Sequence, residues 1–548
     1  MDIGEILPHQ NPSSIIVRLL TMSDNYTSGE SGRIRPRDEQ SFTETADTAV
    51  SPFASDSPDV DRYKRVRRRP QLSDDMGYGA NADDHDRMMD DNDGDNHASD
   101  IHNTPADDCY DHVMKGRMVL GNGKIRSSWF THDDWLWRSE DSAVPSGSMA
   151  ISSGTDSSDV SMTIQMKALH SQLCQLKRRF GTAVEQCAVV TRTNQPWREF
   201  ERARRLCNPF ELLGEGKAGG MNQMFMNRAA IKLANINAVV GFSLIPYGSP
   251  GVFKFADLCG APGGFSEYIV QQCRDGGVRT CRGFGMSLVG TNEHGNGTPW
   301  KLSNYQQQYP DGSTTTYQLS GGADGTGDIY NFANVEHLGH EIQAATGSHK
   351  VHLVVADGGF DAQRDFEYQE HIAQKVVVCQ AVAAMALLED GGSMVMKVFG
   401  FQTSTIRALM RNLFMAFERL VVVKPISSRP ASAERYLVCR GFRGIPFGRS
   451  PVSLRNAVFL DDFRVVWSEQ ENQAFERLER YLDRVDYKMM NLNLKACFAI
   501  LSTLERRYRA LPQGTHDRAE QQQEQQRRNW FNNRHNVEAY KAAWRLPR

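Results

Sequence analysis

Met162, Met166, Leu169, Leu173, Leu176 and Phe180 recur at alternating spacings of four and three, which draws one apolar stripe along a helix. The stripe is too short for a coiled coil, so it predicts a helix packed on the domain that follows. From about residue 185 to 445 the pattern changes to short, nearly continuous apolar runs interleaved with helical periodicity. Strands are predicted at 252–257, 282–288, 351–357, 393–399, 420–424 and 435–440, and helices at 221–240, 265–273, 370–388 and 403–414. Strands apolar on both faces, alternating with helices, predict a parallel sheet covered on both sides. Only a Pro-rich turn, 425–434, joins the last two strands; it is too short for a crossover helix, so they are predicted to pair antiparallel.

Residues 290–331 interrupt the alternation with a Gly-, Asn-, Thr- and Gln-rich stretch, which reads as a polar insertion of binding-loop or disordered type. Beyond 460, Phe475, Leu478, Leu482 and Val485, then Leu492 and the run to Leu504, predict two closing helices. Residues 1–160 show little periodicity and are expected to be a disordered arm; 161–510 carry the folded domain and 511–548 a basic and aromatic tail. One aromatic island in the arm, residues 129–137 with Trp129, Trp135 and Trp137, reads as a partner-docking segment or as a strap packed on the domain. The tail, with Trp530, Tyr540 and Trp544 among basic residues, is a candidate for stacking on nucleotides, for docking a partner, or for a frayed helix.

Charge changes the picture. The formal net is −3, yet residues 74–111 hold 13 Asp against Arg87 alone, a local −12, so the remainder carries +9. A mildly basic remainder suits an anionic partner such as RNA. Six of the eight residues 62–69 are basic, the pattern of a nuclear-import signal, a nucleic-acid contact or a solvated charge run. No run of 18 apolar residues exists and Met1 is not followed by a basic and then apolar segment, so neither a membrane-spanning helix nor a secretory signal is expected. The ten cysteines include no C-x-x-C pair, and Cys379, Cys439 and Cys497 sit in apolar runs; this argues against a zinc ribbon or disulfide framework and for a reducing compartment.

The most informative stretch is Asp257-Leu-Cys-Gly-Ala-Pro-Gly-Gly-Phe-Ser-Glu-Tyr268, an apolar strand ending in an acid, then a glycine turn that opens a helix. Open α/β sheets bind ligands at the carboxyl ends of their strands, where small residues let a backbone approach and helix N–H groups hold an anionic end. The spacing Gly260-x-x-Gly263-Gly264 is neither the dinucleotide fingerprint nor a phosphate-binding loop with Lys-Ser, which leaves S-adenosylmethionine as the favoured ligand. Asp357 closes another strand, Lys397 lies inside the apolar strand Met394-Val-Met-Lys-Val-Phe, Lys232 lies on the apolar helix Asn227-Arg-Ala-Ala-Ile-Lys-Leu, and Glu434 opens the last strand. Lysine is almost never buried unpaired, so Lys397 calls for a site rather than for two unrelated ion pairs.

These residues, with Ser428-Arg-Pro-Ala-Ser-Ala-Glu-Arg-Tyr436, Gly325-Thr-Gly-Asp-Ile329 and Ala356-Asp-Gly-Gly-Phe360, resemble the FtsJ-type ribose 2′-O-methyltransferases, and within them the eukaryotic cap-specific mRNA enzymes, over about 200–505. The resemblance implies a Rossmann-like, S-adenosylmethionine-dependent methyltransferase fold with a mostly parallel seven-stranded sheet ending in an antiparallel hairpin. It implies that Lys232, Asp357, Lys397 and Glu434 form a catalytic tetrad. Asn227, the turn of Cys259, Gly260, Ala261, Pro262, Gly263, Gly264 and Phe265, and Asp328 with Ile329 are implied to contact the methyl donor. Arg204, Glu367, Tyr368, Gln369 and Ser432 are implied to touch RNA; Ser432 stands where the animal enzymes usually carry Asn. The implied substrate is the 5′ end of capped mRNA, methylated on its first transcribed nucleotide in the nucleus, with the arms as candidate docking segments for transcription or capping machinery. Lys397 would act as general base, since burial and a second cation favour neutral lysine. Alternatives are a ribosomal or transfer RNA 2′-O-methyltransferase, and a non-catalytic RNA-binding scaffold.

Overall fold

The computed structural model describes residues 128, 136–137, 157–191, 195–207, 225–248, 251–289, 298–359, 369–460, 468–509, 539–540 and 542–546. The basic cluster at 62–69, the acidic tract at 74–111, Glu367, Tyr368 and the basic stretch around Trp530 lie outside the described residues.

Among the described residues the strands are β1 (Leu136–Trp137), β2 (Val252–Leu258), β3 (Thr280–Met286), β4 (Tyr305–Gln308), β5 (Thr314–Ser320), β6 (Val351–Ala356), β7 (Leu388–Val398), β8 (Phe417–Val423) and β9 (Arg435–Phe442). They form one sheet in the order β1-β8-β9-β7-β6-β2-β3-β5-β4. The seven strands from β8 to β5 are the expected sheet, and a short strand on each edge brings the number to nine. β5, β3, β2, β6 and β7 run parallel to one another. β9 alone in this seven-strand set is reversed, wedged antiparallel between β7 and β8. The reversal brings the start of β9 to the carboxyl ends of the parallel strands.

Part of the expected polar insertion is a hairpin. Tyr305 pairs with Tyr317 and Gln308 with Thr314. The turn between closes through Tyr309 N to Ser313 O (2.9 Å) and through the Asp311 carboxylate, which accepts from Ser313 N and Oγ. Only Thr315, Tyr317 and Ser320 of β5 are buried, so the hairpin carries almost no apolar signal.

The helices are α1 (Ser157–Thr191), α2 (Pro196–Cys207), α3 (Arg228–Val239), α4 (Gly264–Asp275), α5 (Phe332–Thr346), α6 (Gln369–Leu387), α7 (Ser404–Ala416), α8 (Pro451–Leu460) and α9 (Glu469–Arg509). Side-chain alternation sorts the core into two layers. Val354, Ala356, Met394, Met396, Leu437 and Cys439 face α5 to α8. Leu353, Val355, Val395, Tyr436 and Val438 face α3 and α4. The two expected closing helices are one continuous helix, α9, which touches the first layer through Phe475–Val485 positions, the second through Met489 and Leu492, and α1 and α2 through Cys497, Ile500 and Leu504. No turn residue separates the halves, and each apolar stripe finds a different partner along the length.

The strap reading of the aromatic island fits its described part: Leu136 and Trp137 pair with Leu420 and Arg419 of β8. At the other end, Tyr540 and Trp544 are buried in the second core layer, and Gln272 donates to Arg545 O (2.8 Å). These two rings are spent on packing against the domain, so they do not stack on nucleotides. No described helix is long and apolar enough to cross a membrane.

Candidate active site

The alternation that sorts the core also decides where the polar strand-end residues fall. Asp357 continues the parity of Leu353 and Val355, Lys397 that of Val395, and Glu434 that of Tyr436 and Val438. All three therefore emerge on the face covered by α3, which carries Lys232. The reversed β9 is what places Glu434 at the same sheet edge as the ends of β6 and β7.

The four residues meet as two ion pairs. Lys232 Nζ lies 3.0 and 3.1 Å from the two carboxylate oxygens of Glu434. Lys397 Nζ lies 3.1 Å from Asp357 Oδ1 and donates to the Asp357 carbonyl at 2.6 Å. Between the pairs stands Tyr436, the register partner of Lys397, whose hydroxyl donates to Asp357 Oδ1 (2.9 Å). Burial, then the Asp357 and Glu434 carboxylates, push the phenol well above its ordinary range, so it is a neutral donor. Burial alone would raise Glu434, but Lys232, Lys397 and Lys424 together hold it well below the usual carboxylate range.

The glycine turn follows directly. Cys259 N donates to Met286 O (2.7 Å), which ties the turn across to β3. A Cβ on Gly260 would sit 2.1 Å from Asp257 Oδ1, and one on Gly264 would sit 2.0 Å from Asn227 Oδ1. Asn227 caps α3 by accepting from Ala229 N (3.0 Å), and Glu267 of α4 accepts from Met226 N (2.7 Å). The N-terminal ends of α3 and α4 thus meet across Gly264, with the turn between them and the tetrad. Burial, with Asp257 and Asp328 adding to it and Lys397 opposing, pushes the Cys259 thiol up to about 12, which makes it inert. A Cβ on Gly358 would lie 2.8 Å from Cys259 Cβ and one on Gly359 3.0 Å from Lys397 Cε, so the turn sits against the two residues that follow Asp357.

Asp328 lies on the loop after β5. Val289 N donates to Thr326 O (2.8 Å), holding this loop over the end of β3, and the Asp328 carboxylate accepts from Tyr330 N (2.9 Å). Ile329 packs into the core beside it.

The implied RNA contacts are spread more widely. Gln369 opens α6, half-buried. Ser432 sits in the β8–β9 turn, where its hydroxyl accepts from Glu434 N (3.2 Å). Arg204 is buried at 4% exposure on α2, against Arg429, Pro430 and Ala431 of the same turn and Ile500 of α9.

Sequence reasoning passed over three residues that the geometry brings in. Lys424 ends an apolar run much as Lys397 interrupts one, so the same signal was available. Tyr436 carried no signal, because a strand tyrosine is ordinary. Asp257 was seen only as the end of a strand. It is fully buried; its Oδ2 accepts from Ser266 N (3.2 Å) and Oγ (2.7 Å), while Oδ1 has no hydrogen-bond partner. Burial first, and Asp357 after the opposing Ser266 bond, raise it to about 7.

Two expectations follow for the turn. In Gly264→Ala the added carbon meets the Asn227 oxygen, so one helix start must shift; the urea midpoint is expected to fall by the equivalent of about 1–3 kcal/mol. Asp257 holds a proton in the folded protein that the unfolded chain releases well below pH 7. Its contribution is therefore fully present at low pH and is lost as pH rises through about 7. Asp257→Asn cannot ionise, so the drop in urea midpoint between about pH 5 and pH 8 is expected to be smaller than in the wild type.

The central part of the chain is similar to known proteins. Residues 225–442 match the family described as FtsJ-like methyltransferase. The chain is 33% identical over 256 residues to the cap-specific mRNA (nucleoside-2′-O-)-methyltransferase 1 of Mus musculus, covering 45% of this chain and 28% of that protein. The Homo sapiens protein of the same description gives the same identity and coverage. That of Drosophila melanogaster is 33% identical over 251 residues, 44% of this chain and 29% of that one. The chain thus matches less than a third of the length of these relatives.

Proposed function

We propose that this chain, through its FtsJ-like methyltransferase domain, methylates the ribose 2′-oxygen of the first transcribed nucleotide of capped mRNA, with S-adenosylmethionine as methyl donor. FtsJ-like methyltransferases use that donor. One observation carries the reading: two lysines and two carboxylates, drawn from four separate elements, pair within 3.1 Å at one sheet edge beside a glycine turn.

The residues fit the donor. A Cβ at Gly260 or Gly264 would run into Asp257 Oδ1 or Asn227 Oδ1, so only glycine lets the turn close this tightly, and Asp257 Oδ1 lies against it buried without a hydrogen-bond partner. Asn227, residues 259–265 and the Asp328–Ile329 loop would hold it. When bound, it supplies an already activated methyl group, so the protein must align the reacting oxygen and remove its proton.

Alignment alone is worth roughly 7–11 kcal/mol in favourable cases. Lys232, held by both oxygens of Glu434, would orient the hydroxyl. Lys397 Nζ would take the proton and finish as an ammonium. Asp357 Oδ1 and the Asp357 carbonyl are already placed to accept from that ammonium. Tyr436, donating to Asp357, keeps the carboxylate turned toward Lys397. RNA would lie over Gln369, Ser432 and the segment holding Glu367 and Tyr368. Arg204, being buried, would support the 429–432 turn from beneath rather than grip phosphate. The arms would dock transcription or capping machinery in the nucleus.

The test compares capped and uncapped copies of one short RNA, with the labelled methyl group mapped after nuclease digestion. The reading requires transfer to the first transcribed nucleotide of the capped copy. Equal labelling of both copies points to a ribosomal or transfer RNA enzyme, and no labelling points to a scaffold.

A further inference from the structure

We propose that Lys424 is a positioning residue for the Lys232–Glu434 pair and acts through the hydroxyl of Ser428; this rests on the methyl-transfer reading above.

Lys424 directly follows β8 and is fully buried. Its Nζ contacts Ser428 Oγ at 3.0 Å, Ser432 O at 2.9 Å and Glu434 O at 2.6 Å. An ammonium has three N–H donors and no acceptor, so these three contacts use its full complement. All three partners lie in the turn that joins β8 to β9, and the last is the tetrad glutamate itself.

Donation from Lys424 occupies one side of the Ser428 oxygen. The hydroxyl hydrogen is thereby directed to the other side, where Glu434 Oε1 accepts at 3.0 Å. The same carboxylate holds Lys232. The result is an ordered chain from Lys424 through Ser428 to Glu434, with Lys232 arriving from α3. Two grips therefore fix Glu434, and Lys424 sets both: its own donation to the Glu434 carbonyl and, through Ser428, the bond to the carboxylate.

Burial, with Lys232, Arg435 and Arg429 adding to it, drives the Lys424 amine down to about 7 against the pull of Glu434, while the two carbonyls and the Ser428 oxygen around it offer an ammonium one acceptor for each N–H. Lys424 is also one of three cations that keep Glu434 ionised. A lysine needed only to fill space would be replaceable by methionine; one that orients Glu434 would not.

The test measures kcat on capped RNA, donor Kd by calorimetry and Tm, for full-length Lys424→Met, Ser428→Ala and the double variant. Lys424→Met risks the turn itself, whereas Ser428→Ala removes one oxygen and leaves the three-way clamp two of its acceptors. Each single variant is expected to lower kcat about ten- to a hundredfold while donor Kd changes by less than about threefold. Because both act along one chain, the double variant is expected to be no slower than Lys424→Met alone. A folded Ser428→Ala protein with wild-type kcat overturns the inference, as does a loss confined to donor Kd. Lys397→Met is the control: if it too turns over normally, the methyl-transfer reading itself falls; if it is dead while Ser428→Ala is unimpaired, only the role of Lys424 falls.

Discussion

Replacing Lys397 with methionine is expected to lower the rate of methyl transfer about 10²- to 10⁴-fold, the usual contribution of a positioned acid–base group. Donor affinity is expected to stay near the wild-type value, because the turn at 259–265 is held by Asn227, Ser266 and Met286 rather than by Lys397. Methionine keeps the volume of the side chain, so the strand between Met396 and Val398 has no cavity to collapse into. Asp357 loses its cation but keeps the Tyr436 hydroxyl and is 18% exposed, which lets water replace the lost donor. Single-turnover methyl transfer and donor calorimetry on the same preparation check both halves. A folded variant that still transfers methyl at an appreciable rate removes Lys397 from the role of base.

The largest loss of stability is expected from Asp486→Ala. Asp486 on α9 pairs with Arg435 at the start of β9, and the two side chains are 1% and 3% exposed. Arg435 also donates to Phe399 O (3.1 Å), and Asp486 Oδ2 accepts from Phe401 N (3.2 Å). The pair thus clamps the loop that follows the Lys397 strand and the residue next to Glu434. Burial raises the Asp486 carboxyl, and Arg435 and then Arg407 pull it back. Removing one partner of such a pair leaves an uncompensated buried charge, which costs about 3–5 kcal/mol. The urea midpoint is expected to fall accordingly, and kcat with it, since both ends of the active edge loosen. A loss under about 1 kcal/mol would mean that water reaches Arg435 and the clamp is not closed.

Arg435 and Glu434 show how one residue of chain separates a structural from a chemical role. Consecutive strand positions face opposite layers, so Glu434 goes to α3 and Lys232 while Arg435 goes to α9 and Asp486. Parity of this kind is legible from spacing along the chain: Val355 with Asp357 and Val395 with Lys397 are two residues apart in sequence. What is not legible is the order of strands across the sheet. Without β9 inserted between β7 and β8, Glu434 would have no reason to meet Lys397.

The polar edge of the sheet was hidden for a different reason. Thr- and Gln-rich β4 and β5 bury few side chains and are held by pairing with β3 and by a tight turn, so they lack the apolar alternation that marks a strand. Two rings of the tail show the opposite case. Tyr540 and Trp544 among basic residues look like a nucleotide-stacking surface, yet both rings are buried in the second core layer together with residues of α3 and α4.

Local chemistry alone determined the alternation of strands and helices, the glycine turn at the end of β2 and the anomaly of a lysine inside an apolar strand. Each of these depends on spacing over a few residues, which backbone geometry and desolvation translate directly. Tertiary structure decided the pairing of Lys232 with Glu434, the burial of Arg204, the clamp made by Lys424 and the single course of α9. These depend on which distant segments share a layer, and that is settled by the packing of whole faces rather than by any stretch of sequence.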